Sequence, residues 1–337
     1  MALPIAGPGP RNGHVYLQDY AKKKWDCVPI AVPSKGREEQ LCEQTLTMLK
    51  HHGYDMSLVH VFVDGDRQRE DGSAEYDRYW KKLRAEGFGM VGLHPGGKDL
   101  RGQYARIFQF FHDIPEVVLT TDMVPSIVVR KRIGSVAVEP LEQGLLTTLI
   151  RVGFDVCSSE GARAWSFASC KAGMNLIPGN ISRKCGLLCG NFHGIRMSLG
   201  PPPSIGVSNY TTDVEFSLRC WTECGAMVRF LGIAASHAYR SRGGLSMTAS
   251  SPSARHKETC DAVQKLAKEF PQLLRTEAKQ KRRFSRMNYR FLQRGPKPMK
   301  FYGTFETRGR KVLKGWRPMT VKQRVAKHRL HKKPAKK

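Results

Sequence analysis

Val28-Pro-Ile-Ala-Val-Pro-Ser-Lys-Gly-Arg37 sets the reading of the whole chain. Its first six residues form a short apolar run of the kind that builds a buried strand, and it stops abruptly at a polar, cationic turn. Immediately downstream, Glu38 to His52 carries Leu41, Thr45 and Leu49 at helical spacing and halts at Gly53. The cycle then repeats. Leu58 to Val63 is a second apolar run, closed by Asp64-Gly65-Asp66, and Glu75 to Glu86 is a helix with Tyr76, Tyr79, Trp80 and Leu83 on one side, stopped by Gly87. Gly89 to His94 reads as a strand, Gly96 and Gly97 as a loop, and Leu100 to Phe111 as an aromatic helix. Glu116-Val-Val-Leu-Thr-Thr-Asp122 is another apolar run that ends in an acid. Strand and helix alternate, which predicts an α/β fold: a mostly parallel sheet flanked by helices.

In such sheets ligands gather beyond the carboxyl ends of the strands. The positions to watch are therefore Ser34 to Arg37, Asp64 to Asp66, His94 to Gly97 and Thr120 to Asp122. An acid directly after a buried strand, as Asp122 is, is well placed to meet a metal–phosphate.

Beyond Asp122 the pattern loosens. Leu141 to Val152 reads as a helix, Gly161 to Pro203 is rich in Gly, Ser, Cys and Pro without clear period, and Thr212 to Cys224 is helical again. The Thr-Thr-Asp opening of that helix is a capping signal, and capping alone would account for Asp213. Ser241 to Ser253 reads as a mobile Gly/Ser-rich stretch and Glu258 to Phe270 as a final helix.

The chain has 337 residues, 40% of them apolar, enough for a substantial core. Of its net charge of +27, the 59 residues from Lys279 onward contribute +21, with 22 Lys and Arg against the single acid Glu306; the other 278 hold 34 against 28. A nearly balanced body thus carries a basic tail. No secretory signal is evident at the N-terminus, and no apolar run approaches the roughly 20 residues that span a bilayer, so a nuclear or cytoplasmic protein is expected. The nine Cys are an odd number without a CxxC pair, which suits reduced thiols. Cys185, Cys189 and His193 with Cys220 and Cys224 could be drawn as a zinc site, though not at the usual spacing.

Taken in order, these segments resemble a GT-A (Rossmann-like) glycosyltransferase over about Val28 to Gly244. Val28 to Arg37 resembles the first strand and its nucleotide-contacting turn, and Val117-Val-Leu-Thr-Thr-Asp-Met-Val124 the strand leading into the metal-binding DxD signature, with Asp122 as its last acid. Thr212-Asp-Val-Glu-Phe-Ser-Leu-Arg219 resembles the inverting enzymes' E-D-x-D-L-x-x-R segment, which puts Asp213 at the general base and Arg219 at the motif's Arg. His237, with Arg240 and Gly243-Gly244 behind it, sits where many members carry a metal-binding His and a closing loop. The resemblance implies a UDP-sugar donor and a divalent cation, Mn2+ or Mg2+, held by Asp122 and His237. Ser34, Arg37, Asp64, Lys98, Arg101 and Arg240 would line the nucleotide. The sequence departs from the pattern at Thr120, Thr121 and Thr212, where the family carries acids.

The tail speaks to the acceptor. Lys281, Arg282, Arg283, Arg286, Arg290, Arg308, Arg310 and Arg317 are interleaved with Phe284, Tyr289, Phe291, Phe301, Tyr302 and Trp316, which suits phosphate contact with base stacking; a nuclear-import or solubilising run is the plainer reading. The subfamily most similar is that associated with TET/JBP dioxygenases, which implies an inverting transfer of a hexose, glucose above all, to a hydroxymethylated pyrimidine in DNA, with such a dioxygenase acting upstream. A cytosolic enzyme with a protein or glycan acceptor, and an inactive GT-A-like DNA-binding protein, are the competing expectations. The implied organisation is a flexible segment 1–26, a GT-A domain 27–275 with its nucleotide half at 27–125 and acceptor half at 126–275, and a disordered or partly helical basic tail 276–337.

Overall fold

The computed structural model describes residues 8–10, 14–21, 26–64, 74–132, 135–168, 173–237, 251–277, 288–292 and 296–302. The chain divides into two compact units, Met1–Phe305 and Glu306–Lys337, and the second lies outside the described residues. The composition-based tail therefore begins about thirty residues before the structural division.

A short strand β1 (His14–Tyr16) and helix α1 (Leu17–Ala21) precede β2 (Ile30–Pro33). The helix expected after β2 runs as α2 (Glu38–Gln40), a π-helical turn (Leu41–Leu46) and α3 (Thr47–His51). There follow β3 (Val59–Val63), α4 (Glu75–Ala85), β4 (Gly92–Pro95), α5 (Leu100–Phe110) and β5 (Glu116–Thr120). These match the alternation of the sequence. Next come β6 (Ile127–Val129), β7 (Glu139–Pro140), α6 (Leu145–Glu160), β8 (Ala164–Ala168), β9 (Asn180–Ser182) and β10 (Phe192–Arg196). Then α7 (Thr212–Cys224), β11 (Val228–Ala235) and α8 (Pro252–Glu269) lead to β12 (Leu274–Glu277), β13 (Asn288–Phe291) and β14 (Met299–Tyr302).

The main path of the large sheet has the order β1-β14-β9-β11-β8-β10-β5-β2-β3-β4. Among the described residues, eight of these ten strands run one way, and only β9 and β10 run against them. The sheet is thus mostly parallel in direction, as expected, with its two reversals, β9 and β10, both beyond residue 125. Its two faces carry separate cores. Ile30, Val32, Val59, Val61 and Val118 point toward α3, α4 and α6, whereas Ala31, Phe62, Val117 and Leu119 point toward α5 and α7. This is the period-2 alternation of a sheet covered on both sides.

Three local readings change. Trp80 does not join Tyr79 and Leu83 in the core; it is 44% exposed, with the Arg84 guanidinium stacked 4.0 Å over its ring. Gly161 to Pro203, which shows no period, contains β8, β9 and β10. β8 and β10 lie mid-sheet and are buried almost throughout, so alternation is lost. The helix expected over Leu141 to Val152 is shifted to α6, bounded by left-handed Gly144 and Gly161. Part of the basic segment is built into the fold: β13 pairs antiparallel with β12, and β14 joins the main sheet between β1 and β9. The Ser241-to-Ser253 stretch lies largely outside the described residues.

Candidate functional site

The topology gathers the candidate residues. Because β2, β3, β4, β5 and β11 run the same way, their carboxyl ends share one edge of the sheet, and the start of the reversed β10 joins them there. Ser34, Asp64, Gly96, Asp122, Asn191 and His237 all follow or precede those ends.

The turn after β2 is locked by a relay of hydrogen bonds. The Ser34 hydroxyl donates to Asp122 Oδ2 at 2.7 Å and lies 2.7 Å from the Tyr79 hydroxyl, which in turn accepts from the Arg37 amide at 2.9 Å. Gly36, at φ 65°, donates its amide to Glu75 Oε1 at 2.7 Å. Two cations leave this turn, and each meets an acid: Lys35 Nζ sits 3.0 Å from Asp64 Oδ2, and Arg37 Nη1 sits 3.1 Å from Asp122 Oδ1. Burial raises the Asp122 pKa, with Arg37 and Ser34 working against it, and burial also raises that of Tyr79. The backbone on either side of Asp122 is pinned by Thr45, whose hydroxyl donates to Thr121 O and accepts from Val124 N, both at 2.9 Å. The π-helical turn is where Thr45 sits, a local irregularity of a kind that often marks functional regions.

A short covalent and hydrogen-bonded path links Asp122 to Asp213. Thr120 Oγ1 and the Thr121 amide both donate to Asn191 O, at 2.8 and 3.4 Å, and the amide of the preceding Gly190 donates to Asp213 Oδ2 at 3.1 Å. A Cβ at Gly190 would lie 2.4 Å from Asp213 Oδ1, so any side chain there would displace the carboxylate from this position. This corrects the capping account. The N-cap of α7 is Thr211, which makes no side-chain cap bond, and the Asp213 carboxylate reaches Gly190 instead. Burial pushes the Asp213 carboxyl up to about 6, against the pull of the Gly190 amide. Tyr104, whose pKa is raised by burial and then by the Asp213 charge, stacks on the ring of His193, which burial pushes down to about 4. Sequence spacing did not bring Tyr104 to Asp213, since they come from distant elements.

The neighbouring Glu215 and Arg219 are committed elsewhere. Glu215 is fully buried and accepts from the amides of Gly206 and Val207 at 3.0 and 2.8 Å, and Arg219 pairs with both Glu215 and Glu269. Arg101 ties α5 to the loop before α7 through Gly206 O, at 3.0 Å, and Asn209 Oδ1, at 3.2 Å, rather than standing as an isolated cation. Lys98 is exposed and its carbonyl accepts from Lys35 Nζ at 2.5 Å.

His237 follows β11 and is pushed down to about 4, first by burial and then by the charge of Arg37. Its neutral imidazole is suited to metal ligation, yet the set does not fit a divalent cation as it stands. Both Asp122 oxygens are engaged, one by a guanidinium and one by a hydroxyl, and the same guanidinium is the charge His237 feels. Among the described residues no group of three or more His, Cys, Asp or Glu could hold an ion, the Cys185–Cys189–His193 and Cys220–Cys224 sets included. Arg240, Asp66, Lys281, Arg282, Arg283, Arg286, Arg308, Arg310 and Arg317 lie outside the described residues. Arg290 lies in β13, opposite Arg275 of β12.

No model of a known protein family matches the sequence, and no curated protein matches it. In structure the chain is similar to a mannosyltransferase, PcManGT from Pyrobaculum calidifontis in complex with GDP-Man and Mn2+, at 12% identity and a TM-score of 0.44 over 75% of this chain and 70% of that one. It is similar also to a mycobacterial protein, at 10% identity and a TM-score of 0.40 over 89% and 96% of the two chains. No helix among the described residues is long and apolar enough to cross a membrane.

Proposed function

We propose that the chain is an inverting glycosyltransferase that moves a hexose, glucose from UDP-glucose, to the hydroxyl of a hydroxymethylated pyrimidine in DNA. The observation that carries the reading is the meeting, on one sheet edge, of a cationic turn (Lys35 and Arg37) with a carboxyl, Asp213, whose pKa is pushed up to about 6. A general base is most effective when its pKa lies near the working pH, and a sugar nucleotide brings a diphosphate that needs positive charge as it departs.

In the proposed reaction the acceptor oxygen attacks the anomeric carbon from the face opposite the nucleotide. The new C–O bond forms as the bond from the anomeric carbon to the β-phosphate oxygen breaks. The bonding pair leaves on UDP, and the acceptor proton passes to Asp213. Buried Ser34 and Tyr79 hold the turn rigid beneath the diphosphate. The DNA acceptor rests on the basic interleaved segment after Lys279, and such an acceptor requires an oxygenase to install its hydroxyl first.

The test is incubation of the purified full chain with labelled UDP-sugars and DNA containing hydroxymethylcytosine or hydroxymethyluracil. Label on the DNA supports the whole reading. Hydrolysis of UDP-sugar without acceptor dependence on DNA keeps the transferase and redirects the acceptor to protein or glycan. No hydrolysis of any donor leaves a nucleic-acid-binding protein on a transferase-like fold.

A further inference from the structure

Two carboxylates that end strands at the nucleotide edge, Asp64 and Asp122, are each matched to a cation of the protein itself. Asp64 carries Lys35 at 3.0 Å and Asp122 carries Arg37 at 3.1 Å, so each of these carboxylates already faces a protein cation. A divalent cation is held by oxygen ligands that bring surplus negative charge. Here the positions before Asp122 that would add carboxylates are Thr120 and Thr121, and the Thr120 hydroxyl is spent on Asn191 O at 2.8 Å. What a diphosphate would meet at this edge is an ammonium and a guanidinium, leaving the same turn two residues apart, 20% and 15% exposed at the side chain.

We infer that Lys35 and Arg37, oriented by Asp64 and Asp122, supply the positive charge for the diphosphate, so that the sugar nucleotide is bound and its leaving group neutralised without a divalent cation. The inference rests on the sugar-nucleotide reading of this edge. Its physical basis is the geometry of the donors. Lys35 Nζ has three hydrogens, of which Asp64 Oδ2 and Lys98 O take two. The Arg37 guanidinium is a planar fork suited to phosphate oxygens, and its Nη1 is oriented by Asp122 Oδ1. Charge-assisted bonds from such groups to phosphate oxygen are about twice as strong as neutral ones. The relay from Arg37 N through Tyr79 and Ser34 to Asp122 ties the turn to the carboxylate. Asp122 then acts as a positioning residue for Arg37 rather than as a metal ligand.

The test measures binding of UDP and UDP-glucose to the full chain by calorimetry, in excess EDTA and in excess Mn2+. The expected result is a Kd that agrees within about threefold between the two arms, because the charge is supplied by protein cations. Arg37→Met should weaken UDP binding in EDTA by roughly 10- to 100-fold and, by releasing Asp122 Oδ1, make the remaining affinity respond to Mn2+. Should that variant fail to fold, Lys35→Met takes its place with the same expected loss in EDTA. Binding by the wild type that appears only with Mn2+ overturns the inference and leaves the sugar-nucleotide reading standing. Wild-type affinity in EDTA retained by a folded Arg37→Met or Lys35→Met variant also overturns it. Absence of UDP and UDP-glucose binding in both arms removes the sugar-nucleotide reading itself, and the inference falls with it.

Discussion

Replacing Asp213 by Asn separates a proton acceptor from a structural carboxylate, and the two accounts predict opposite outcomes. Asn keeps the shape and an oxygen that can accept from the Gly190 amide, now 3.1 Å from Asp213 Oδ2. It removes the ability to take a proton, so transfer should fall by about 10²- to 10⁴-fold, the usual loss for a general base. Stability should move the other way. A carboxyl held at about 6 against an ordinary value of 3.8 binds its proton more tightly in the folded state. Its contribution is therefore fully present below about pH 4 and is lost as pH rises through about 6. The gap amounts to at most about 3 kcal/mol, at about 1.4 kcal/mol per tenfold; Asp213 is partly exposed, so about 1–2 kcal/mol is expected to be realised.

Thermal melts at about pH 3.5 and about pH 7.5 read this directly: wild type and the Asn variant should nearly coincide at the lower value, with the variant the more stable at the higher. The wild-type kcat/KM should climb about tenfold per pH unit below about pH 6 and level off above it. Full transfer activity in the Asn variant would refute the base assignment. A loss of about 1 kcal/mol at neutral pH with unchanged kinetics would return Asp213 to a structural role.

Ser34→Ala removes the donor to Asp122 and the partner of Tyr79, both buried, and should cost about 1–3 kcal/mol in denaturant unfolding while weakening UDP binding; an unchanged midpoint would show that the relay is dispensable. Arg151→Met breaks a buried bidentate pair with Glu116, at 2.8 and 2.9 Å, and its bond to Asp155, so about 3–5 kcal/mol should be lost, without a change in UDP affinity because Glu116 opens β5 at the edge opposite Asp122. Deleting Glu306–Lys337 removes 13 Lys and Arg and should lower both DNA affinity and the slope of its salt dependence while preserving the melt. Deletion from Lys279 also removes β13 and β14, with buried Met299, and should destabilise the body; equal melts for the two truncations would refute the part given to β14.

The first part of the fold, through Asp122, was legible because each of its strands is short, apolar and ended by a residue type that strands avoid. Pro33-Ser34, Asp64 and Thr121-Asp122 mark the carboxyl ends of β2, β3 and β5, and parallel order then places those ends together. The part beyond Asp122 was not, for a reason visible in β8 and β10. Ala164-Trp-Ser-Phe-Ala168 and Phe192-His-Gly-Ile-Arg196 lie between other strands and are buried on both faces, so neither alternation nor charge marks them. Gly194 is there because a Cβ would fall 2.2 Å from Trp165 Nε1, a constraint set by a strand 29 residues away.

The same distinction governs the site. Asp122 could be found from its own neighbours, since an acid after a buried strand is a local signal. Its partners could not, because Arg37 is 85 residues away and Ser34 is 88; without them Asp122 reads as a free metal ligand, and with them it is the anchor of a guanidinium. Asp213 shows the converse. Thr-Thr-Asp at a helix start carries the local signature of a cap, and only the return of the chain through Gly190, 23 residues earlier, turns the carboxylate toward the sheet edge, where burial raises its pKa against the pull of that amide. Residue type and strand order locate the edge where chemistry can occur. Whether a carboxylate there binds a cation, orients one or takes a proton is decided by contacts between segments that the sequence leaves far apart.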